Sequence, residues 1–378
     1  MSYSKKLAPL ALALPLFSAC LGGGTDTKAK TALYDLPEAD AVIVNIGTNV
    51  IFATYTELNT KMIALNTAAQ SLAANRDAAS LTAAQDAWKA ARIPWESTES
   101  FLIGPVDALG IDPKLDTWPL ATSALNAVIG GSDPLTPAFV HNLDTNLQGF
   151  HTAEYLLFGD GIATNTRSVG SLTDREYEYL VAVTAVMAEH TAQLVTAWSE
   201  HFDPEDTTSP AFLDVFTLKT PSQTAGFTNR AQVLATIVQD GMAGIADEVG
   251  NGKLATPLAG SLAEADPSQV ESQFSWNSLA DFQNNVASIS NLYTGDYGTH
   301  TGAGLDSLVQ QVDMDLDFRI QAEIEFAKAR IAAIAGAANL PFTQAIKDPA
   351  ARERVQAAID QMNSLKRILE EELAPLVK

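Results

Sequence analysis

The chain has one cysteine in 378 residues, so an internal disulfide is excluded and the thiol of Cys20 must serve another end. Basic residues are few: 23 Lys and Arg stand against 45 Asp and Glu, for a formal net charge of −22. No stretch gathers those cations on one face, which excludes nucleic acid as a partner, since phosphate binding needs them clustered. Period-two alternation is scarce, which argues against a sheet-built fold. The zinc-peptidase signatures H-E-x-x-H and H-x-x-E-H are both missing, and so is the G-x-S-x-G of serine hydrolases. Past the N-terminus no apolar run is read as long enough to span a bilayer.

What the N-terminus does contain is an export signal. Lys5 and Lys6 precede the apolar run Leu7 to Phe17, and Leu16-Phe17-Ser18-Ala19-Cys20 ends it. Small residues before a cut site mark a secretory segment, predicted over residues 1–19. The run resembles the lipobox of bacterial lipoproteins, with Phe17 where Leu is usual, which implies a lipid on Cys20. Residues 20–36 then form a tether of small and polar residues. Leu21, rather than Asp, implies sorting to the outer membrane, facing the periplasm or the surface. The membrane is expected to be met through that lipid alone.

The rest of the chain is rich in apolar residues at helical spacing. Ile46, Val50, Leu58, Met62, Leu65, Ala69 and Leu72 predict a long first helix starting near Pro37. A second begins near Ser80, with Thr82 and Gln85 read as its capping box. A third carries Phe139, Leu143, Leu147, Phe150 and Leu157. A fourth opens at Thr173 to Glu176, another capping box, and carries Leu180, Met187, Leu194 and Trp198. Residues 202–221, with three prolines, read as a link. Further helices are expected over about 223–249, 278–293, 304–337 and 350–376. The fold class is therefore all-α, with two packed four-helix bundles over 37–220 and 221–378.

Two clusters carry chemistry. In Gly149 to Gly159, His151 and Glu154 stand three residues apart in an apolar run, so imidazole and carboxylate share a helix face. Burying such a pair requires a compensating partner, either another acid inside the bundle or a metal. Arg92, Glu96 and Glu99 share a stripe with Trp88 if their helix continues past Pro94. That stripe is either an exposed salt bridge or a buried arginine holding carboxylates in place. Asp281 is either an inward ligand or a cap for the helix at Ser278. His190 and His201 read as surface residues, His141 lies off the face of His151, and His300 sits in a Gly/Thr-rich loop.

Four segments in order resemble the imelysin family: 87–105 with Trp88, Arg92, Trp95 and Glu96; Asp116-Thr117-Trp118-Pro119; the G-x-H-x-x-E of 149–159; and 271–281 followed by Leu292-Tyr293-Thr294-Gly295. Related domains occur in bacterial iron-uptake lipoproteins and iron-regulated envelope proteins. The resemblance implies two helical bundles with a site between them. It makes His151, Glu154, Glu96, Glu99 and Asp281 candidate metal ligands, with Arg92, Trp118 and Ser275 in support. One imidazole with several carboxylates suits iron first and zinc second. The expected function is a lipid-anchored protein binding a metal ion or metal-bearing ligand for iron acquisition, alongside other envelope proteins of iron uptake. The alternative is a metallopeptidase in which Glu154 is catalytic, and a third is an adhesion or scaffold protein without a metal.

Overall fold

A computed structural model describes residues 30–378; the expected signal segment and Cys20 lie outside the described residues. Helix α1 spans Ala39–Asn75, and its turns at Ile46–Phe52 are π-helical. Helix α2 is Ala78–Glu96, α3 is the short Ile111–Asp116, α4 is Gly149–Phe158 and α5 is Asp174–Ser199. Helix α6 opens at Arg230–Ala235 and continues through π-helical turns at Thr236–Ala243 and Glu248–Leu254. Helices α7, α8 and α9 are Ser278–Thr294, Met314–Ala333 and Pro349–Ile368. The fold is all-α, with no strand among the described residues and two isolated β-bridges, Ser222 to Phe227 and Tyr297 to His300.

Local chemistry sets the boundaries. The box at the start of α5 forms as expected: Glu176 N–H donates to Thr173 Oγ1 and Thr173 N–H donates to Glu176 Oε2 at 2.7 Å. The box at α2 is shifted, because Asp77 caps it by accepting from Ser80 N–H at 2.8 Å. Thr82 instead bonds back to Ala78 C=O, and Gln85 Nε2 donates to Leu157 C=O at 2.9 Å, tying α2 to α4. The expected third helix is broken into Pro137–Val140, Thr145–Leu147 and α4, since Gly149 takes φ +72°. The helix expected over 304–337 breaks at Asp313, whose carboxylate caps α8 by accepting from Leu316 N–H at 3.0 Å. Inside the 202–221 stretch, Phe212–Phe216 forms a short helix whose Phe212 packs edge-on against Trp198 at 5.0 Å.

Helices α1, α2 and α5 pack together, with α4 laid on α2 and α5. Helices α7, α8 and α9 pack together with the π-helical part of α6, and α7 lies against α2. Contrary to the sequence expectation, Ala39–Asn75 and Asp174–Ser199 are each long and apolar enough to cross a membrane. Half or more of each apolar window is buried, and the two helices pack against each other in the core.

Candidate metal centre

Helix α2 supplies the anchor. Its residues Trp88, Arg92, Trp95 and Glu96 are fully buried; the helix continues past Pro94 but ends at Glu96, so Glu99 stands in the separate 3-10 turn Glu99–Phe101 and not on the expected stripe. The exposed salt-bridge alternative is thereby ruled out. The Arg92 guanidinium pairs with four carboxylates: Glu96, Asp116 Oδ1 at 2.5 Å, Glu271 Oε1 at 3.0 Å and Asp281 Oδ2 at 3.2 Å. It also lies over the Phe150 ring, 4.9 Å from its centroid. A planar fork with five donors can serve several acids at once, which an ammonium on a flexible stem cannot do as well.

Two glycines bring the remaining elements to this anchor. A Cβ on Gly149 would meet Leu115 C=O at 2.2 Å, so only glycine lets the start of α4 close onto the end of α3. Asp116 and His151 thereby come together, with Oδ1 3.2 Å from Nε2. Gly161, at φ +66°, does the same for the turn before α7: a Cβ there would meet Gln273 C=O at 2.4 Å. That turn carries two non-glycine residues in the left-handed region, Ser272 at φ 51° and Trp276 at φ 61°. Such strain persists only where surrounding contacts fix it. Here Ser272 Oγ donates to Asp281 at 2.5 Å and Trp276 Nε1 donates to Gly161 C=O at 2.7 Å.

His151 is held from both sides. Its Nδ1 lies 2.9 Å from Glu154 Oε2. The other oxygen of Glu154 accepts from Ser275 N–H at 2.8 Å and Ser275 Oγ–H at 2.7 Å. Nε2 is buried near Asp116 but is angled so that it has no hydrogen bond. Asp281 turns inward rather than capping α7: it accepts from Ser272, from Asn277 Nδ2 at 2.7 Å and from Arg92. Glu96 pairs with Arg92 and accepts from Asn285 Nδ2 at 2.5 Å. Glu99 and the half-buried Trp118 line a cavity of about 300 Å³ with Asp112, Asp116, Lys253 and Glu271.

The charges do not balance. Glu96, Glu99, Asp116, Glu154, Glu271 and Asp281 are six acids, set against Arg92, Lys253 and His151. Burial raises Glu96 and Glu99 well above the usual carboxylate range, and raises Asp281 too, despite Arg92. Burial also resists ionisation of Asp116, but Arg92 and His151 overcome it and hold that carboxyl well below its usual range. His151 is the mirror case: burial disfavours the imidazolium, yet contacts with Asp116 and Glu154 push it up to about 10. Asp112, at the cavity, is raised to about 6 by burial and by neighbouring Asp116.

Three ligand atoms, one each from Asp116, His151 and Glu271, lie within 4.8 Å of one another, as do those of Glu96, Glu99 and Asp116. The imidazole and carboxylate types, together with a buried Nε2 turned towards them, fit iron or zinc. The family model described as Imelysin matches residues 51–369. The chain belongs to the imelysin family. It is 29% identical over 334 residues to the iron-regulated protein A of Synechococcus elongatus, covering 87% of this chain and 84% of that one. The crystal structure of a chain described as an iron-regulated protein A precursor from Parabacteroides distasonis superposes with a TM-score of 0.77 at 27% identity, over 91% of this chain and 96% of that one. An imelysin-like protein from Psychrobacter arcticum shares the fold, with a TM-score of 0.67 at 14% identity, over 90% and 95% of the two chains.

In this imelysin the predicted residues Arg92, Glu96, His151, Glu154, Ser275 and Asp281 meet in one buried network, while Glu99 and Trp118 stand at its cavity. Asp116 and Glu271 were not among the predicted ligands, although both fall inside the segments that carry the family resemblance. Lys253 gave no usable signal: the helix expected over about 223–249 stopped short of Gly250-Asn251-Gly252, which is in fact a π-helical turn. His190 corrects another expectation. It is buried, edge-on to His141 at 5.2 Å, and held down to about 4 by burial and nearby Lys114. His141 and His300 are exposed and His201 is half-buried.

Proposed function

We propose that this imelysin binds one metal ion, iron foremost, through His151 Nε2, Asp116 and Glu271, as a lipid-anchored carrier or receptor in iron acquisition. The observation that carries this is the buried Nε2 of His151, which has no well-aligned hydrogen bond and faces Asp116 Oδ1 at 3.2 Å with Glu271 in reach. Glu154 serves as the outer carboxylate of a carboxylate–histidine–metal arrangement, holding Nδ1–H so that Nε2 faces the site and the ion takes the place of the Nε2 proton. Asp116 is already ionised and needs no deprotonation. Hard oxygen donors with one imidazole suit iron, and the names of two relatives, iron-regulated protein A and its precursor, support that choice.

Binding is favoured over peptide hydrolysis by the state of Glu154. A metallopeptidase needs a general base beside the metal-activated water. Both oxygens of Glu154 are engaged, one by His151 and one by Ser275, and the side chain is fully buried. The test is metal analysis of protein purified without chelators, followed by anaerobic Fe(II) titration. We expect one equivalent, lost in His151→Ala. No metal under any loading would overturn the proposal, and peptide turnover abolished in the same variant would replace it with the peptidase. The anchor is tested by palmitate labelling, expected to vanish in Cys20→Ala.

A further inference from the structure

Lys253 is a buried ammonium in a cage of acids. Its Nζ lies 3.0 Å from Glu271 Oε2, 3.7 Å from Glu96, 3.9 Å from Glu99 and 3.9 Å from Glu248. The residue is 4% exposed, and its side chain lines the same cavity as Asp116 and Trp118. Three of the four contacts are longer than a hydrogen bond, so charge rather than directed bonding holds the ammonium. Glu271 Oε2 is buried and faces it without a hydrogen bond. The π-helical turn Glu248–Leu254 delivers both Lys253 and Glu248 to the cage.

The ligand geometry around it is doubled. The sets Asp116, His151, Glu271 and Glu96, Glu99, Asp116 share one carboxylate. Two sets with a common carboxylate, projecting from packed helices, are how a helical protein holds two metal ions about 3.5–4 Å apart. Here Glu96 and Glu99, two members of the second set, are also two walls of the lysine cage. The ammonium lies beside two of the three second-set carboxylates, and its nearest partner, Glu271, belongs to the first set. We propose that Lys253 is a tethered cation filling the second position of a two-ion carboxylate centre, and that it restricts this protein to a single metal ion. This rests on the metal-binding function proposed above.

The consequence is chemical. A single ion among neutralising groups can be taken up and released, whereas a carboxylate-bridged pair would be held more tightly and could exchange two electrons. The ammonium is covalently attached to the turn, so it stays at the second position whatever the ion concentration. A purely structural lysine would balance charge without affecting how many ions enter.

The two roles separate in a titration of the purified full chain with Mn(II), followed by electron paramagnetic resonance. The unaltered protein is expected to bind one equivalent with an uncoupled six-line spectrum. Lys253→Met, which keeps the length and removes the charge, is expected to bind two, with an exchange-coupled spectrum; Lys253→Arg is expected to stay at one. If the unaltered protein binds one and Lys253→Met also binds one, the lysine inference falls and the metal site stands. If the unaltered protein binds two, the inference is likewise overturned; if it binds none, the metal proposal falls and takes the inference with it. Should Lys253→Met not fold, anomalous scattering from Mn(II)-soaked crystals of the unaltered chain decides. One peak beside His151 supports the inference, and a second among Glu96, Glu99 and Asp116 overturns it.

Discussion

Glu154 Oε2 lies 2.9 Å from His151 Nδ1, one helical turn along α4, so the acid of the G-x-H-x-x-E motif orients its histidine instead of standing beside it as an equal ligand. The spacing of three makes this contact within one helix, and Ser275 from the turn before α7 locks the acid in place. If the proposed metal is bound, removing the acid's charge should therefore weaken it without abolishing it. Glu154→Gln is expected to lower metal affinity by about 10- to 100-fold, the range for carboxylates that orient a ligating histidine. Competition with a chromophoric chelator at fixed pH reads this directly. Unchanged affinity would mean that Glu154 does not set the histidine.

Arg92 has a different role, which stability rather than affinity reports. It is fully buried and pairs with Glu96, Asp116, Glu271 and Asp281. Arg92→Met keeps the volume and strands those acids. Removing one partner of a buried ion pair costs about 3–5 kcal/mol. We expect a loss of at least that size in urea unfolding, against a total stability of about 5–15 kcal/mol for a typical domain. A loss under about 1 kcal/mol would show that the acids are neutralised by protons and not by the guanidinium.

Gly149 links the fold to the site. A Cβ at this position would overlap Leu115 C=O, and the residue already sits at φ +72°. Both clash and backbone penalise Gly149→Ala, and the expected cost exceeds about 2 kcal/mol. The variant should also separate Asp116 from His151, so metal affinity should fall together with stability. Full metal affinity in a destabilised variant would separate the glycine's role in folding from any role at the site.

Those three residues also mark what was legible in the sequence. Helical periodicity and the Thr173 box made the all-α class and several helix positions readable, because burial of an apolar stripe is a local pattern. The breaks at Gly149 and Asp313 were not, since each depends on a tertiary contact or a cap that competes with an unbroken apolar repeat. The inward turn of His151 and Glu154 could be anticipated from charge in an apolar run, whereas for Arg92 the sequence left an exposed salt bridge open. Their partners could not be ranked the same way: Asp116 and Glu271 lie in short segments where no periodicity fixes which way a side chain faces. Lys253 was hidden by two glycines that normally signal a loop.

The excess of raised groups fixes how stability depends on pH. His151 goes from an ordinary 6.5 in the unfolded chain to about 10 in the fold, so the folded state binds the extra proton. Its contribution is complete below pH about 6.5 and is lost as pH rises towards 10. Glu96, Glu99 and Asp281 are also raised and act in the same direction, each losing favour as pH climbs through its folded value. Asp116 is lowered and weakens the fold only on acidification below its ordinary range. The melting temperature of chelator-treated protein should therefore fall steadily from pH 6.5 to 10. A melting temperature that rises over that interval would mean the imidazolium is not the resting form.

Metal affinity should run the opposite way, and this separates a metal site from a proton-filled acid cluster. An ion reaching His151 Nε2 must displace the imidazolium proton that Nε2 carries facing Asp116, while the Nδ1 proton stays with Glu154. It also reduces the need for protons on neighbouring acids that burial has raised. Each proton released makes apparent affinity about tenfold tighter per pH unit below the displaced group's pKa. One proton from His151 alone predicts a slope of about one decade per unit between pH 6 and 9, steeper if a carboxylic acid also lets go. Calorimetry in two buffers of different ionisation enthalpy counts those protons at a single pH. A count of zero, with affinity flat across the range, would place the ion away from His151 and leave the imidazolium as the permanent counter-charge of this centre.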